Sequence, residues 1–104
     1  MYKICFYVPE SHLEVVKEAL FIAGAGRIGN YDRCSLQCLG EGQFRPLAGS
    51  QPALGQQGLV TRVAEYKVEL VCSVEDIQAA VAALKTSHPY EEPAYDVLEI
   101  SDKF

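Results

Sequence analysis

The order in which two hydrophobic periodicities alternate along the chain constrains its fold more than any other feature. Residues 2–8 repeat with period two, which places Ile4, Phe6 and Val8 on one face of a predicted strand. A helical spacing follows, and strand-like and helix-like patterns then return in the second half of the chain. The predicted order is therefore strand, helix, strand, strand, helix, strand.

That order, βαββαβ, predicts an α+β, ferredoxin-like fold: a four-stranded antiparallel sheet with two helices on one face. At 104 residues, the chain is expected to form one domain, residues 1–104. The other sheet face carries Cys5, Tyr7 and Val71, and an apolar face of this kind predicts a partner. The predicted elements are strands at 2–8, 31–39, 63–72 and 94–100, and helices with the apolar stripes Leu13, Val16, Leu20, Ala23 and Ile77, Ala80, Val81, Leu84.

Polar residues predict where the two helices begin and end. Ser11 and Glu14 have the spacing of a capping box, and Ser73 with Asp76 forms a weaker version of it. Gly24 is a natural C-terminal stop for the first helix.

Charge and hydropathy exclude several classes of function. The net charge of −5 disfavours binding to nucleic acid or to an anionic membrane surface, because both need basic protein surfaces. No apolar run is long enough to span a membrane, and the N-terminal segment indicates a strand, not a signal peptide. These observations predict a cytoplasmic protein.

Four cysteines raise the question of disulfides or a metal site. Cys34 and Cys38 lie four apart in a predicted strand, which separates them by roughly 13 Å at about 3.3 Å per residue. That distance is too long for a disulfide or for shared ligation of one ion. Cys5, Cys34, Cys38 and Cys72 are therefore predicted to be buried free thiols.

The segment from Gly24 to Gly29 matches G-x-G-x-x-G, the glycine pattern of dinucleotide-binding folds. In those folds the glycines follow a strand and open a helix, whereas here they follow a helix and precede a strand. The pattern is therefore interpreted as a helix end and a turn that requires positive φ angles.

Two stretches have the composition of a functional site. Residues 88–97 (HPYEEPAYDV) combine a histidine, two carboxylates and two tyrosines, and Pro89 and Pro93 restrict their backbone to few shapes. Residues 40–60 form a long connection rich in glycine and proline, and such connections are usually functional or disordered.

Together these stretches resemble a known family. Residues 40–46 (GEGQFRP), with Gly49, Pro52, Gly55 and Gly58, resemble the loop of the domain inserted in YqfO-like proteins of the dinuclear-metal YbgI/YqfO superfamily. Residues 88–97 resemble the closing signature of that domain. The resemblance extends from Met1 to Ile100, so the chain is similar to a free-standing form of the insert.

The resemblance carries structural and functional expectations. The insert is similar to CutA and PII-like proteins, which implies a trimer with ligand sites in the clefts between subunits. The histidine- and acid-rich motifs of the metal-binding domain in YqfO-like proteins are missing, since His12 and His88 are the only histidines. Hydrolase activity is therefore not carried over to this chain.

Candidate site residues divide into two groups. His88, Glu91 and Glu92 have ligand types suited to a divalent metal ion. Phe44, Arg45 and Tyr90 are candidates for binding a small effector, with Arg45 gripping an anionic group. In the alternative, His88 hydrogen-bonds the turn, a glutamate pairs with a basic residue, Phe44 packs down, and Arg45 bridges to Glu91 or Glu92.

The sequence favours a non-enzymatic, oligomeric PII/CutA-like module that binds a divalent metal ion or small effector at subunit clefts. A second hypothesis is a regulatory or protein-interaction module that docks through residues 40–60. A third, a small metal-dependent hydrolase, needs three convergent ligands that one chain does not supply.

Overall fold

The computed structural model describes residues 1–104 and contains four strands and two α-helices in the predicted order. All neighbouring strands are antiparallel, in the sheet order β2-β3-β1-β4, which confirms the predicted fold class. Neither helix is long and apolar enough to cross a membrane. The elements are β1 (Tyr2–Pro9), α1 (Leu13–Ile22), β2 (Leu36–Phe44), β3 (Thr61–Cys72), α2 (Ile77–Ser87) and β4 (Tyr95–Glu99).

One hydrophobic core lies between the sheet and the two helices. Both helices pack on the same face of the sheet, because their buried side chains share one cluster with a single face of β1 and β3. The predicted stripes supply this core, with Ala23 and Ile77 packed at its margin, except for Val81, which is half-buried and lies outside the cluster. The largest fully buried side chains are Phe6, Ile4, Leu20, Leu84, Val8, Val16 and Val68.

The second strand differs from its prediction. It covers Leu36–Phe44 instead of 31–39, so the first five residues of the predicted 40–60 connection belong to β2. Arg33 has a φ of 55°, which is incompatible with an extended strand at that point. The long connection therefore runs from 45 to 60.

Neither predicted capping box forms. A 3₁₀ turn at Glu10–His12 precedes α1, and Ser11 Oγ contacts His12 Nδ1 at 2.9 Å instead of a helix amide. Helix α2 begins at Ile77, and Ser73 Oγ donates a hydrogen bond to the Asp76 side chain at 3.1 Å. In both cases an extra turn before the helix moves the serine away from the position that caps it.

The glycine-rich segment after α1 is a helix end, as predicted. Gly24 has a φ of 109°, and its N–H donates to Phe21 O at 3.1 Å. The Ala25 N–H donates to Leu20 O at 3.0 Å, which completes a Schellman motif. The segment therefore closes a helix and does not open one, as a dinucleotide site requires.

Strands β2 and β3 continue past the end of β1 as a two-stranded arm. Pro9 pairs with Glu65, and residues 61–64 of β3 pair only with residues 41–44 of β2. We call residues 41–44 and 61–64 the hairpin arm. It contributes to an elongated shape of 47 × 24 × 23 Å.

The outer face of the sheet, opposite the helices, is mixed in character. Cys5 is buried there, while Leu36 and Leu98 are exposed and Lys3 pairs with Glu69 at 3.2 Å. All four cysteines are free thiols. The prediction that all are buried holds for Cys5 and Cys72 but is wrong for Cys38, which is exposed, and for Cys34, which is half-buried and lies before β2.

Candidate functional site

A pocket of about 520 Å³ lies on the outer sheet face at the base of the hairpin arm. Small-molecule sites in proteins usually measure about 300–1,000 Å³. The pocket joins the two stretches that the sequence singled out, since residues of both the 45–60 connection and the 90–94 turn line it. Five of the six predicted site residues are among its lining residues: Phe44, Arg45, Tyr90, Glu91 and Glu92.

The 45–60 connection is held in one shape by its own hydrogen bonds. The Gly58 N–H donates to Pro46 O at 2.7 Å, and the Gln57 side-chain amide donates to Ser50 O at 2.9 Å. Gly49, Gly55 and Gly58 have positive φ angles, which glycine adopts without steric cost. The connection therefore forms a defined wall of the pocket.

The two predicted stretches meet through contacts other than the expected ion pair. The rings of Phe44 and Tyr90 lie 6.1 Å apart at 49°, so Phe44 packs down as one alternative predicted. The Gln51 N–H donates to Glu91 Oε2 at 3.0 Å. Arg45 is exposed and pairs with neither Glu91 nor Glu92, so the predicted bridge is wrong.

His88 supports the pocket from behind. Its Nε2 lies 2.7 Å from Tyr7 O, and its Nδ1 accepts the Tyr90 N–H at 3.1 Å. These partners define a neutral imidazole that donates from Nε2. Burial holds the pKa of His88 below 6.5, while the bond to Tyr7 O opposes that shift. The ring thus ties β1 to the 88–94 turn.

The geometry of His88 does not fit the predicted role of metal ligand. Both ring nitrogens are engaged with backbone groups, so neither offers a lone pair to an ion. The chain brings together no group of three or more His, Cys, Asp and Glu side chains that could hold a metal ion. His88, Glu91 and Glu92 therefore do not form a ligand set within one chain.

Tyr90, which lines the pocket, carries the most unusual polar atom of the chain, its hydroxyl. It is buried and is the one shielded side-chain polar atom without a hydrogen-bond partner. Burial raises the pKa of Tyr90, and the nearby Glu65 carboxylate adds to the shift. An unpartnered buried hydroxyl costs roughly 1–3 kcal/mol, so a ligand that reached it would remove a real penalty.

Glu65 lines the pocket although it is not one of the predicted site residues. Its carboxylate makes no hydrogen bond or ion pair within the chain, and burial raises its pKa. The carboxylate lies over Gly42, in the space that a Cβ atom there would occupy. Glu65 pairs with Gly40 in the ladder, and only that register reveals that Gly42, two residues further along β2, makes room for its carboxylate.

Comparison with known proteins agrees with this architecture. No protein-family profile matches the chain. It is 43% identical over 103 residues to a GTP cyclohydrolase 1 type 2 homolog of Halalkalibacterium halodurans, covering 99% of this chain and 28% of the relative. The corresponding homolog of Mycobacterium tuberculosis is 45% identical over 98 residues, covering 94% and 26%. The chain thus spans about a quarter of the length of these relatives.

Solved structures resemble this chain in two groups, NIF3-related proteins and CutA proteins. A Bacillus cereus protein related to NIF3 superposes with a TM-score of 0.83 at 38% identity, over 97% of this chain and 26% of that one. The PII-like protein CutA of a Nostoc species superposes with a TM-score of 0.69 at 16% identity, over 98% and 83%. The predicted resemblance to the YbgI/YqfO group and to CutA/PII-like folds is therefore confirmed.

Proposed function

We propose that this chain is a non-enzymatic, PII/CutA-like module that binds a small organic effector in the pocket at the base of the hairpin arm. One observation carries the proposal: Tyr90, whose buried hydroxyl has no hydrogen-bond partner, lines a pocket of small-molecule size. Pockets that combine apolar walls with a few unsatisfied polar groups are typical of ligand sites. We favour an organic effector over a metal ion because both nitrogens of His88 are engaged.

The side chains argue for binding instead of catalysis. A nucleophile needs a neighbouring base, and His88 has no free nitrogen to serve as one. Burial raises the pKa of Cys72, so its thiol is a poor nucleophile at neutral pH. The relatives bear the name GTP cyclohydrolase 1 type 2 homolog, but this chain spans only about a quarter of their length.

We further propose that the module self-associates through the outer sheet face, as the trimer implied by its CutA-like resemblance. Leu36 and Leu98 are 61% and 54% exposed there, and only 17 of 104 residues are buried in the single chain. The pocket opens on this same face, so a neighbouring subunit that bound there would complete its wall. Self-association and effector binding would then be coupled.

A fragment screen by NMR tests the binding proposal. ¹⁵N-labelled protein is titrated with a library of small aromatic and aliphatic fragments, and amide shifts are mapped onto the chain. We expect hits to shift amides of residues 43–54 and 90–94, and to bind Tyr90→Phe more weakly. Tyr31→Phe is the control, because Tyr31 is 76% exposed and does not line the pocket. A library that produces no shifts around the pocket contradicts the proposal.

A second candidate function is docking to a protein partner through the 45–60 connection. The observation that favours it is a group of exposed apolar side chains in or at the end of this segment: Leu47, Leu54, Leu59 and Val60. Such patches often mark interaction sites. If Leu59→Ser together with Val60→Ser, at two exposed positions that do not line the pocket, abolishes capture of a cellular partner while fragment binding persists, the docking role exists alongside the pocket.

A further inference from the structure

We propose that the pocket selects an aromatic organic cation, of the amidinium or guanidinium class, over an anionic nucleotide or dicarboxylate. This inference deepens the proposed function and rests on it. It follows from the balance of charges around the pocket, from the isolated carboxylate of Glu65, and from the aromatic rings that line the walls.

The charge balance of the lining residues is negative. Glu65, Glu91 and Glu92 contribute carboxylates, while Arg45 contributes the only cation. The chain as a whole carries a net charge of −5, which adds no compensating positive field. Like charges close to one another repel, so a triphosphate or dicarboxylate would have to enter against the field of the protein.

Of the three carboxylates, Glu65 is the one best placed to receive a ligand. Glu91 already accepts the Gln51 N–H, and Glu92 is exposed. Glu65 is partly buried and has no hydrogen-bond or ion-pair partner in the chain. Removing a charged carboxylate from water without giving it a partner costs free energy. A cation that pairs with the carboxylate compensates for the lost hydration.

The shape of a carboxylate matches a forked donor. An amidinium or guanidinium group presents two parallel N–H donors to the two oxygens, which gives stronger and more directional binding than a point charge. Gly42 leaves the carboxylate unobstructed, because no side chain competes for its position. The Tyr90 hydroxyl supplies a further acceptor or donor close by.

The side chains that form the pocket walls favour a planar, cationic ligand. Tyr7, Phe44 and Tyr90 contribute aromatic rings, and Pro46, Leu47 and Leu54 add apolar surface. Aromatic rings attract cations through their negative faces and stack with other rings. A planar aromatic group with a cationic fork at one end satisfies both the walls and Glu65.

Two small probes distinguish charge-selective binding from binding through apolar contacts alone. Benzamidine and benzoate share one ring but carry opposite charges. We expect benzamidine to shift the amides around Glu65 and Tyr90 with a Kd on the order of 1 mM, as its size predicts. Benzoate should bind at least tenfold more weakly. Glu65→Gln should weaken benzamidine about tenfold or more, since a charge-assisted bond is lost.

Glu99→Gln is the matched control, because it removes the same charge from an exposed position on β4 outside the pocket. It should leave the benzamidine affinity unchanged. If benzoate binds the pocket as well as benzamidine does, or if Glu65→Gln has no effect, the charge inference is overturned. The proposed function then stands or falls separately, on whether any fragment of the wider library binds the pocket.

Discussion

His88 and Tyr90 carry the local architecture of the candidate site, and they do so in different ways. The imidazole uses both of its nitrogens to hold Tyr7 O and the Tyr90 amide, and its ring lies 5.0 Å from that of Tyr90. His88 therefore has a structural role: it links β1 to the 88–94 turn, and its burial disfavours the protonated form of the ring. The Tyr90 hydroxyl is removed from water and forms no hydrogen bond in return, so a ligand that bonded to it would gain the free energy of that bond.

Replacing Tyr90 with phenylalanine should weaken fragment binding without lowering the stability of the fold. The substitution removes a buried hydroxyl that has no partner, so the free energy of unfolding should stay the same or rise by about 1 kcal/mol. Urea denaturation measures this change, with Tyr31→Phe as the reference for loss of an exposed hydroxyl. A loss of 2 kcal/mol or more, by the same scale, would show that the hydroxyl has a structural partner.

His88 should make the protein less stable as the pH falls. Its pKa is lowered in the folded state, so the unfolded chain binds the proton more readily. Stability is complete above pH 6.5 and decreases as the pH falls from 6.5 through the folded pKa, by at most about 1.4 kcal/mol per pH unit.

Denaturation between pH 7.5 and 5, compared with His88→Asn, isolates this contribution, and an NMR titration of the ring reports the pKa directly. The variant should be less stable at pH 7.5 and should lack this part of the pH dependence. A measured ring pKa at or above 6.5 would contradict the neutral, buried imidazole.

At the scale of elements, the site depends on how β2 and β3 pair. The hairpin arm carries Phe44 and Gly42 past the end of β1, and Gly40 lies just before the arm. The register places Glu65 beside both glycines. Alanine is expected to act differently at the two positions. A Cβ at Gly42 meets the Glu65 carboxylate, whereas at Gly40 its nearest neighbour is Glu65 O at an ordinary 3.9 Å.

Gly42→Ala should therefore impair ligand binding while Gly40→Ala should not. Both glycines lie in β2 without positive φ angles, so both variants should fold with stabilities within about 1 kcal/mol of the parent. The carboxylate is the flexible end of a side chain and can swing away, which displaces it from the pocket at little structural cost. Equal benzamidine affinities for the two variants would contradict the proposal that the Glu65 carboxylate contacts the ligand.

The elements also show where sequence prediction succeeds and fails. The period-two patterns of β1 and β3 are legible because each strand has one face in the core. Strand β2 lies at the sheet edge and is exposed along most of its length on both faces, so no periodicity marks its start. The predicted strand at 31–39 rests on a less regular alternation, and both of its boundaries are wrong, since β2 covers Leu36–Phe44.

The candidate site was only partly predictable for the same reason. The two stretches at 40–46 and 88–97 have unusual composition, and five of the six predicted residues line one pocket. Their roles as ligand contacts remain predictions. Glu65 was missed because its isolation from every cation depends on strand register, which a single sequence does not specify.

At the scale of the whole molecule, the elongated single chain leaves much apolar surface uncovered. Exposed leucines lie on the outer sheet face, whereas Val15, equally exposed, lies on α1 on the other side of the sheet. Self-association through the outer face would bury the leucines but not Val15. The two surfaces therefore offer a matched comparison.

Sedimentation velocity at micromolar concentration should show an oligomer, with a trimer as the expected species. Leu36→Glu should dissociate it, because a charge would be buried at the interface without a partner. Val15→Glu should leave it intact, since α1 faces away from the outer sheet face. A monomer for the parent chain contradicts self-association, and dissociation by Val15→Glu alone would place the interface on the helices.

The central claim is that the pocket at the base of the hairpin arm binds a small organic ligand. A crystal structure of the protein soaked with the fragment library tests it most directly. We predict electron density for fragments between Phe44 and Tyr90, with a polar atom within hydrogen-bond distance of the Tyr90 hydroxyl or the Glu65 carboxylate. Fragments that bind only elsewhere, with Tyr90 and Glu65 hydrogen-bonded to each other in a closed pocket, would contradict the claim.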